Sequence, residues 1–194
     1  LWSGEAIREL TGRDAEPIAT YTADTLAKIQ VRVNRIPDSE RPRVYYARGP
    51  KGLETGLGGS INVETIEHLG ARNVAGETRG GLATVSFEQV LKWDPGIIVT
   101  IDRDFAANVR RDPLWKDVTA VRNGRVHLSP KMPFGWVDFP PSVNRLIGLW
   151  WLAQIFYPEH FKEDIRPLAR DFYARFYHVT PSEADLDRVL AGRE

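Results

Sequence analysis

Five cationic side chains lie in loops that follow strand-like segments, where together they would bind an anion. They are Arg48, Lys51, Arg79, Arg103 and Lys131. In an open parallel sheet ligands bind at the carboxyl ends of the strands, so these loops would meet at one edge. Guanidinium and ammonium groups there suit an anionic or chelated ligand. The alternative is that they are solvated charges on a chain with 26 basic and 26 acidic residues.

The last of these loops is also aromatic. Residues 131–142 read KMPFGWVDFPPS and run into an almost wholly apolar segment, 143–156. We expect the loop to expose Trp136 and Phe139 to solvent, and we expect the apolar segment to form a buried helix behind it. An aromatic wall beside the cations would complete a ligand cleft.

No arrangement of residues indicates catalysis or a directly bound metal. The histidines form no HxH or HExxH pair, and no serine lies within a GxSxG sequence. The absence of cysteine excludes disulfides, thiolate metal sites and cysteine nucleophiles. Asp102 and Asp104 are better explained as caps of the next helix than as paired catalytic carboxylates. The sequence therefore favours binding over catalysis, with no catalytic residues, no cofactor and no metal ligands assigned.

The glycine-rich run at residues 56–60, GLGGS, suggests a phosphate-binding loop. It lacks the Gly-Lys-Ser/Thr ending of a P-loop and the GxGxxG spacing of a dinucleotide fold, but it leaves the amino end of the next helix open to an anion. A turn that brings the chain close to the sheet explains the run equally well. One alternative function is therefore a small α/β enzyme acting on a phosphorylated substrate at this run. Another is a protein-interaction module that uses the aromatic loop.

The order of the predicted elements indicates an α/β fold. A long helix begins after Asp14 and ends at Pro37, with apolar residues at steps of three and four. Strands that alternate with helices then indicate a parallel sheet, and the end of the chain is all helical. We predict a three-layer lobe with a central, mostly parallel sheet of about 4–5 short strands, preceded by one long connecting helix and followed by C-terminal helices. The four clearest strand segments are 43–47, 73–74, 96–100 and 125–128.

The chain divides into two parts of different character. Residues 1–37 hold no strand pattern, and residues 38–194 have the elements of a self-sufficient lobe. Trp2–Leu10 is predicted to be a short helix. Because the chain begins at Leu1 with neither a basic nor an apolar leader, we expect a processed or excised fragment. No apolar run approaches the roughly 18 residues of a membrane span, and the charge balance gives no indication of nucleic-acid binding.

Several motifs, taken in order, resemble the class III periplasmic substrate-binding proteins of ABC importers. After the long helix come PRVYY at 42–46, IEHLGARNVA at 66–75 and VSFEQVLKWDPGIIV at 85–99. Further along are the LWxxV turn at 114–118, the NGRV segment at 123–126 and the PS pair that opens the apolar helix. The resemblance covers about residues 4–190, and its specificity comes from the order and spacing of the motifs.

The resemblance implies two α/β lobes joined by a long helix, with the ligand between them. Residues 1–37 would be the end of a missing amino-terminal lobe and the long connecting helix, and residues 38–194 would be the carboxyl-terminal ligand-binding lobe. It implies a location in the periplasm, or a lipid anchor outside the cytoplasmic membrane, and ABC permease subunits as partners. The family takes up ferric siderophores, heme, cobalamin and, in some cases, molybdate or tungstate. The ligand implied is an iron complex or a related metal chelate or oxyanion.

The resemblance also implies roles for single residues. The family's ligand contacts come from the loops after the first, second and fourth strands of this lobe, which assigns them to Tyr46, Arg48, Arg79, Trp136, Asp138 and Phe139. Glu88 would dock on arginines of the permease, although a carboxylate in the first turn after Ser86 also suits a capping role. The tryptophan that cobalamin receptors carry before the docking glutamate has no counterpart at 81–83.

Overall fold

The computed structural model describes residues 15–192, and within them the chain alternates strands with helices. The strands are β1 (Arg43–Ala47), β2 (Glu54–Gly56), β3 (Arg72–Asn73), β4 (Leu82–Thr84), β5 (Ile97–Thr100) and β6 (Val126–Leu128). The helices are α1 (Glu16–Val33), α2 (Glu64–His68), α3 (Phe87–Trp93), α4 (Arg103–Asn108), α5 (Thr119–Arg122), α6 (Arg145–Phe156), α7 (Ile165–Tyr177) and α8 (Glu183–Leu190). The predicted helix at Trp2–Leu10 lies outside the described residues.

Four strands form a parallel sheet in the order β3-β1-β5-β6. Strand β1 pairs with β3 on one side and with β5 on the other, where Val44 lies opposite Ile97 and Ala47 opposite Thr100. The chain leaves β1 toward β3 and then crosses to β5 on the opposite side. The switch point between β1 and β5 is where an open sheet of this kind leaves a crevice at its carboxyl edge. The prediction of a mostly parallel sheet of about 4–5 short strands is confirmed, and the described residues form four.

A second, two-stranded sheet was not predicted. Strands β2 and β4 pair in antiparallel fashion, with Glu54 opposite Thr84 and Gly56 opposite Leu82. Each strand has three residues, too few to show alternation between apolar and polar positions. This ribbon holds the glycine-rich run at the carboxyl edge of the main sheet, because β2 begins shortly after β1 ends.

The sheet separates two hydrophobic cores, because successive side chains of β1 point to opposite faces. Val44 and Tyr46 lie in the larger core with α1, α2, α6, α7 and α8. Tyr45 and Ala47 lie in the smaller core, which is built around Trp115 and helices α3 to α5. From Val44 to Ala47 both faces of β1 are fully buried, as expected for a central strand in a three-layer fold.

Helix α6 is buried on nearly every side, as its apolar sequence predicted. It packs against the aromatic loop so closely that a Cβ at Gly148 would lie 1.8 Å from the carbonyl oxygen of Trp136. Helix α1 ends at Val33 rather than at Pro37, and Ile29 and Val33 anchor it in the larger core. Among the helices of residues 15–192, none is both long enough and apolar enough to cross a membrane.

Candidate functional site

A cleft of about 390 Å³ lies at the carboxyl edge of the parallel sheet. Its walls come from the segments that follow β1, β5 and β6, which are the edges expected to bind a ligand. The lining residues are Arg48, Gly49, Glu54, Ile101, Asp102, Arg103, Leu128, Ser129, Lys131, Phe139 and Gly192. Three of the five loop cations, Arg48, Arg103 and Lys131, therefore share one cleft.

Arg48 is held at the floor of this cleft by a buried carboxylate. Its Nε lies 3.7 Å from Oδ2 of Asp138, and the two side chains are 13% and 1% exposed. The same carboxylate oxygen accepts a hydrogen bond from the Tyr46 hydroxyl at 2.7 Å and another from the Asn62 side-chain amide at 2.8 Å. An arginine beside a carboxylate that is itself anchored has a fixed position at the edge of the sheet.

Burial, reinforced by the charge of Asp138, raises the pKa of Tyr46 well above its usual value of 10.0. The phenol therefore stays protonated throughout the physiological pH range and remains a donor to the carboxylate. Burial of a charged pair is costly unless hydrogen bonds satisfy it, and Tyr46 and Asn62 supply those bonds on the acidic side.

The guanidinium of Arg48 has N–H groups that make no hydrogen bond to any residue the structure describes. Nε and Nη1 of Arg48 are buried, and within the described residues neither makes a hydrogen bond. A contact of 3.7 Å is an ion pair but too long to be a hydrogen bond. A buried guanidinium with N–H groups that make no hydrogen bond, at the carboxyl edge of a parallel sheet, is suited to bind an anion.

Phe139 forms the aromatic wall of the cleft. It is 57% exposed, and its ring lies 5.9 Å from the Arg48 guanidinium carbon and 5.9 Å from the Lys131 Nζ. Its backbone has φ of +65°, a region that a bulky residue rarely adopts. The chain thus holds a large apolar ring in the open, in a strained conformation of the kind that occurs at binding sites.

The residues after β5 contribute a further cation. Arg103 lines the cleft, and its Nη2 donates to the carbonyl oxygen of Gly192 at 2.6 Å. Asp102 accepts a hydrogen bond from the backbone N–H of Phe105 at 2.8 Å, which confirms that it caps the helix. Among residues 15–192 no three His, Asp or Glu side chains converge as metal ligands would.

The expectation that Trp136 faces solvent is wrong. Its side chain is fully buried in the larger core, and its Nε1 donates to the Tyr173 hydroxyl at 3.2 Å. The close approach of Gly148 draws the Trp136 backbone onto α6, so the ring has no path outward. Tyr46 and Asp138 are equally inaccessible, with 0% and 1% exposure. Of the six predicted ligand contacts, these three do not line the cleft, although Tyr46 and Asp138 hold Arg48 from beneath.

Arg79 is exposed but does not line the cleft. It follows β3 and forms an isolated β-bridge with Gly58, so it lies against the glycine-rich run. Lys51, at the tip of the β1–β2 loop, is also exposed and outside the lining. The structure thus brings Arg48 and Phe139 together and leaves Arg79 apart.

The glycine-rich run has few backbone donors to spare for a phosphate. Leu57 and Gly58 donate to carbonyl oxygens near β4, at 2.9 Å each, and Ser60 donates to Leu57. The Gly59 N–H points to the Glu67 carboxylate at 3.3 Å, which places negative charge where a phosphate would bind. A Cβ at Gly58 would lie 2.3 Å from a backbone oxygen, so this glycine serves close packing.

Glu88 lies exposed in the first turn of α3. The Ser86 hydroxyl caps this helix by accepting from the Gln89 N–H at 3.2 Å. Hydrogen bonds from its own backbone N–H and from Ser86 lower the pKa of Glu88. The carboxylate is therefore ionised at any physiological pH and faces solvent, which fits both a capping role and a docking role.

A larger cavity, of about 600 Å³, opens between the start of the aromatic loop and helices α7 and α8. Met132, Pro133 and Val179 make its walls mainly apolar, and its one arginine, Arg188, is paired with Asp185. Arg48 is not among the residues that line this cavity. The smaller cleft therefore has the chemistry that an anion requires.

Comparison with known proteins shows the family to which this chain belongs. A sequence profile described as periplasmic binding protein matches residues 13–132. The chain belongs to the periplasmic binding protein family. The family resemblance and the α/β fold predicted from the sequence are thereby confirmed.

Two curated relatives of this periplasmic binding protein stand out. The molybdate-binding protein MolA of Haemophilus influenzae is 32% identical over 152 residues, covering 77% of this chain and 42% of MolA. An ABC transporter substrate-binding lipoprotein of Bacillus subtilis, YvrC, is 28% identical over 169 residues, covering 82% of this chain and 50% of YvrC. The chain thus spans about half the length of the curated relatives it matches.

Solved structures show the same fold. An ABC transporter solute-binding protein from Sulfurospirillum deleyianum superposes with a TM-score of 0.88 at 34% identity, covering 97% of this chain and 61% of that one. The molybdate-bound structure of MolA superposes with a TM-score of 0.74 at 29% identity, covering 87% of this chain and 52% of MolA.

Proposed function

We propose that this chain is a ligand-binding lobe of the substrate-binding component of an ABC importer, and that its ligand is an oxyanion of the molybdate class. The observation that carries the proposal is Arg48, whose buried Nε and Nη1 make no hydrogen bond within the described residues while the Asp138 carboxylate holds the side chain in place. A guanidinium is a fixed array of charged N–H donors, which suits an oxyanion.

One further feature supports an oxyanion over a bulky iron chelate, because the relative with 32% identity is named for molybdate binding. Iron complexes are the alternative ligand class, because the exposed Phe139 ring would also pack against an organic chelator.

The proposal includes a location and a partner. We place the protein in the periplasm or on a lipid anchor outside the cytoplasmic membrane, where Glu88 docks on arginines of the permease. In this proposal an amino-terminal lobe supplies the second wall of the cleft, and residues 1–37 are the end of that lobe and the long helix that connects the two lobes. A non-enzymatic role fits the glycine-rich run, whose Gly59 N–H is directed at Glu67.

Calorimetric titration of the full-length protein tests the ligand class. Molybdate and tungstate should bind, sulfate should bind more weakly, and ferric siderophore complexes should give no saturable heat. Arg48→Gln should reduce molybdate affinity by about tenfold to a hundredfold, since a charge-assisted hydrogen bond contributes about 1.5–3 kcal/mol. Saturable binding of a ferric siderophore without binding of either oxyanion would overturn the ligand class.

A further inference from the structure

Asn62 lies next to the cleft but not in its lining, and its sequence position gives no hint of a role. Its Oδ1 accepts a hydrogen bond from the Ser60 hydroxyl at 2.9 Å, which fixes the orientation of the amide. The Nδ2 group then points at Asp138 and donates to Oδ2 at 2.8 Å. The amide is thus held at one end and used as a donor at the other.

Three groups converge on that one oxygen of Asp138. The Tyr46 hydroxyl approaches from β1, the Asn62 amide from the segment before α2, and the Arg48 guanidinium from the end of β1. A carboxylate with two short hydrogen bonds has its rotamer fixed, and its charge then fixes the arginine beside it. The contact to Arg48 is the longest of the three, and Nε and Nη1 of the arginine make no hydrogen bond within the described residues.

We propose that Asn62 and Tyr46 are positioning residues, which act on the ligand through Asp138 and Arg48 without touching it. This rests on the proposed function for the identity of the ligand but not for the geometry. A long arginine side chain loses conformational freedom when it binds an anion, and holding it in place beforehand removes much of that cost. The two uncharged residues would then set ligand affinity from beneath the cleft.

Substitutions in the full-length protein test this, with molybdate as the probe. Asn62→Ala and Tyr46→Phe should each weaken molybdate binding about tenfold, since each removes one hydrogen bond to a charged group. The matched control is Tyr45→Phe. Tyr45 is the preceding residue, is equally buried, and donates its hydroxyl to the Gly52 carbonyl at 2.9 Å on the other face of the sheet. The Tyr45→Phe variant should lose a similar amount of stability as Tyr46→Phe, and its molybdate affinity should stay within twofold of the wild type.

Combining each substitution with Arg48→Gln separates positioning from general damage to the fold. If the residues act through Arg48, then Asn62→Ala and Tyr46→Phe cause no further loss of affinity in the Arg48→Gln background. A loss of the same size in both backgrounds would overturn the proposal and make the two residues merely structural.

A second readout needs no ligand. In the nitrogen–proton NMR spectrum, the Nε–Hε signal that disappears in Arg48→Gln belongs to Arg48 and should be sharp in the wild type. It should broaden in Asn62→Ala and Tyr46→Phe and stay sharp in Tyr45→Phe. If molybdate does not bind the wild type, the oxyanion proposal fails, and this spectrum still decides the positioning. An Arg48 signal that is unchanged in both variants would refute it.

Discussion

The indole Nε1 of Trp136 donates a hydrogen bond to the Tyr173 hydroxyl at 3.2 Å, and that hydroxyl donates in turn to the carbonyl oxygen of Met132. Burial raises the pKa of Tyr173 to about 12, so its proton is retained. This chain of bonds fastens both ends of the segment 132–136 to α7. The middle of the aromatic loop is therefore anchored in the core, while Lys131 before it and Phe139 after it line the cleft.

Trp136→Ala should accordingly reduce stability, since it removes a fully buried ring. The expected loss in the free energy of unfolding is about 3–5 kcal/mol, the usual range for a buried tryptophan. Urea denaturation followed by far-ultraviolet circular dichroism measures it. A variant as stable as the wild type, but with weaker ligand binding, would restore Trp136 as a direct ligand contact.

Phe139→Ala should have the opposite effect, with little change in stability and weaker ligand binding. The ring is 57% exposed, so its removal should change the free energy of unfolding by no more than about 0.5 kcal/mol. Molybdate affinity should fall a few-fold, because the ring lies over Arg48 and screens it from water. Calorimetry on the full-length protein measures the affinity, and denaturation of the same sample provides the control. Unchanged affinity would show that the ring does not belong to the ligand site.

The contrast between Trp136 and Phe139 shows what the sequence can and cannot predict. The spacing of apolar residues and the positions of turn-forming residues can be read within a short stretch of sequence. The four parallel strands and the buried α6 could therefore be predicted from them. Whether an aromatic residue in a loop points inward depends on a distant backbone, here the Gly148 position that lets α6 approach Trp136. Single residues in a loop carry no periodicity that would reveal such a contact.

Asn62 shows the same limit within the candidate site. Arg48 was predicted because a cation after a strand is a recognisable signal, and Asp138 because it lies in a loop that the family uses. Asn62 lies 76 positions from Asp138 in the sequence, and only the folded chain brings its amide to the carboxylate. The ribbon of β2 and β4 was missed for the related reason that its three-residue strands are too short to show a pattern.

Gly148→Ala should disturb the loop from the side of the helix. The added Cβ would lie 1.8 Å from the Trp136 carbonyl oxygen, so either α6 or the loop must move. We expect a loss of about 1–3 kcal/mol in the free energy of unfolding, typical of overpacking, together with weaker molybdate binding as Asp138 shifts. Gly81→Ala is the matched control, since nothing lies within 4 Å of its added Cβ. Equal stability of the two variants would contradict the packing argument.

His127 should make the fold sensitive to acid. Burial, with the charges of Arg125 and Arg110, lowers its pKa from 6.5 to about 4. Between these two values the unfolded chain binds more protons than the folded one, so stability falls as the pH falls from about 6.5 to 4. Because the imidazole is partly exposed, we expect a contribution of about 1–2 kcal/mol. His127→Gln should flatten the pH dependence of the urea midpoint over this range; an unchanged slope would assign the effect to other groups.

Glu88 provides the test of the proposed partner. Its carboxylate is exposed at the start of α3 and stays ionised because hydrogen bonds lower its pKa. If it docks on permease arginines, Glu88→Ala should leave the molybdate affinity of the full-length protein within twofold. The ligand-stimulated ATPase rate of the reconstituted importer should fall about fivefold to tenfold. That rate should also depend less on salt concentration than it does with the wild type. Glu77→Ala removes another exposed carboxylate and should change neither the molybdate affinity nor the ATPase rate.

A further variant, Glu88→Gln, separates the effect of charge from that of size, because it retains the side chain's length. An importer that responds to Glu88→Ala and Glu77→Ala alike would show that Glu88 serves only as a carboxylate near the helix amino terminus.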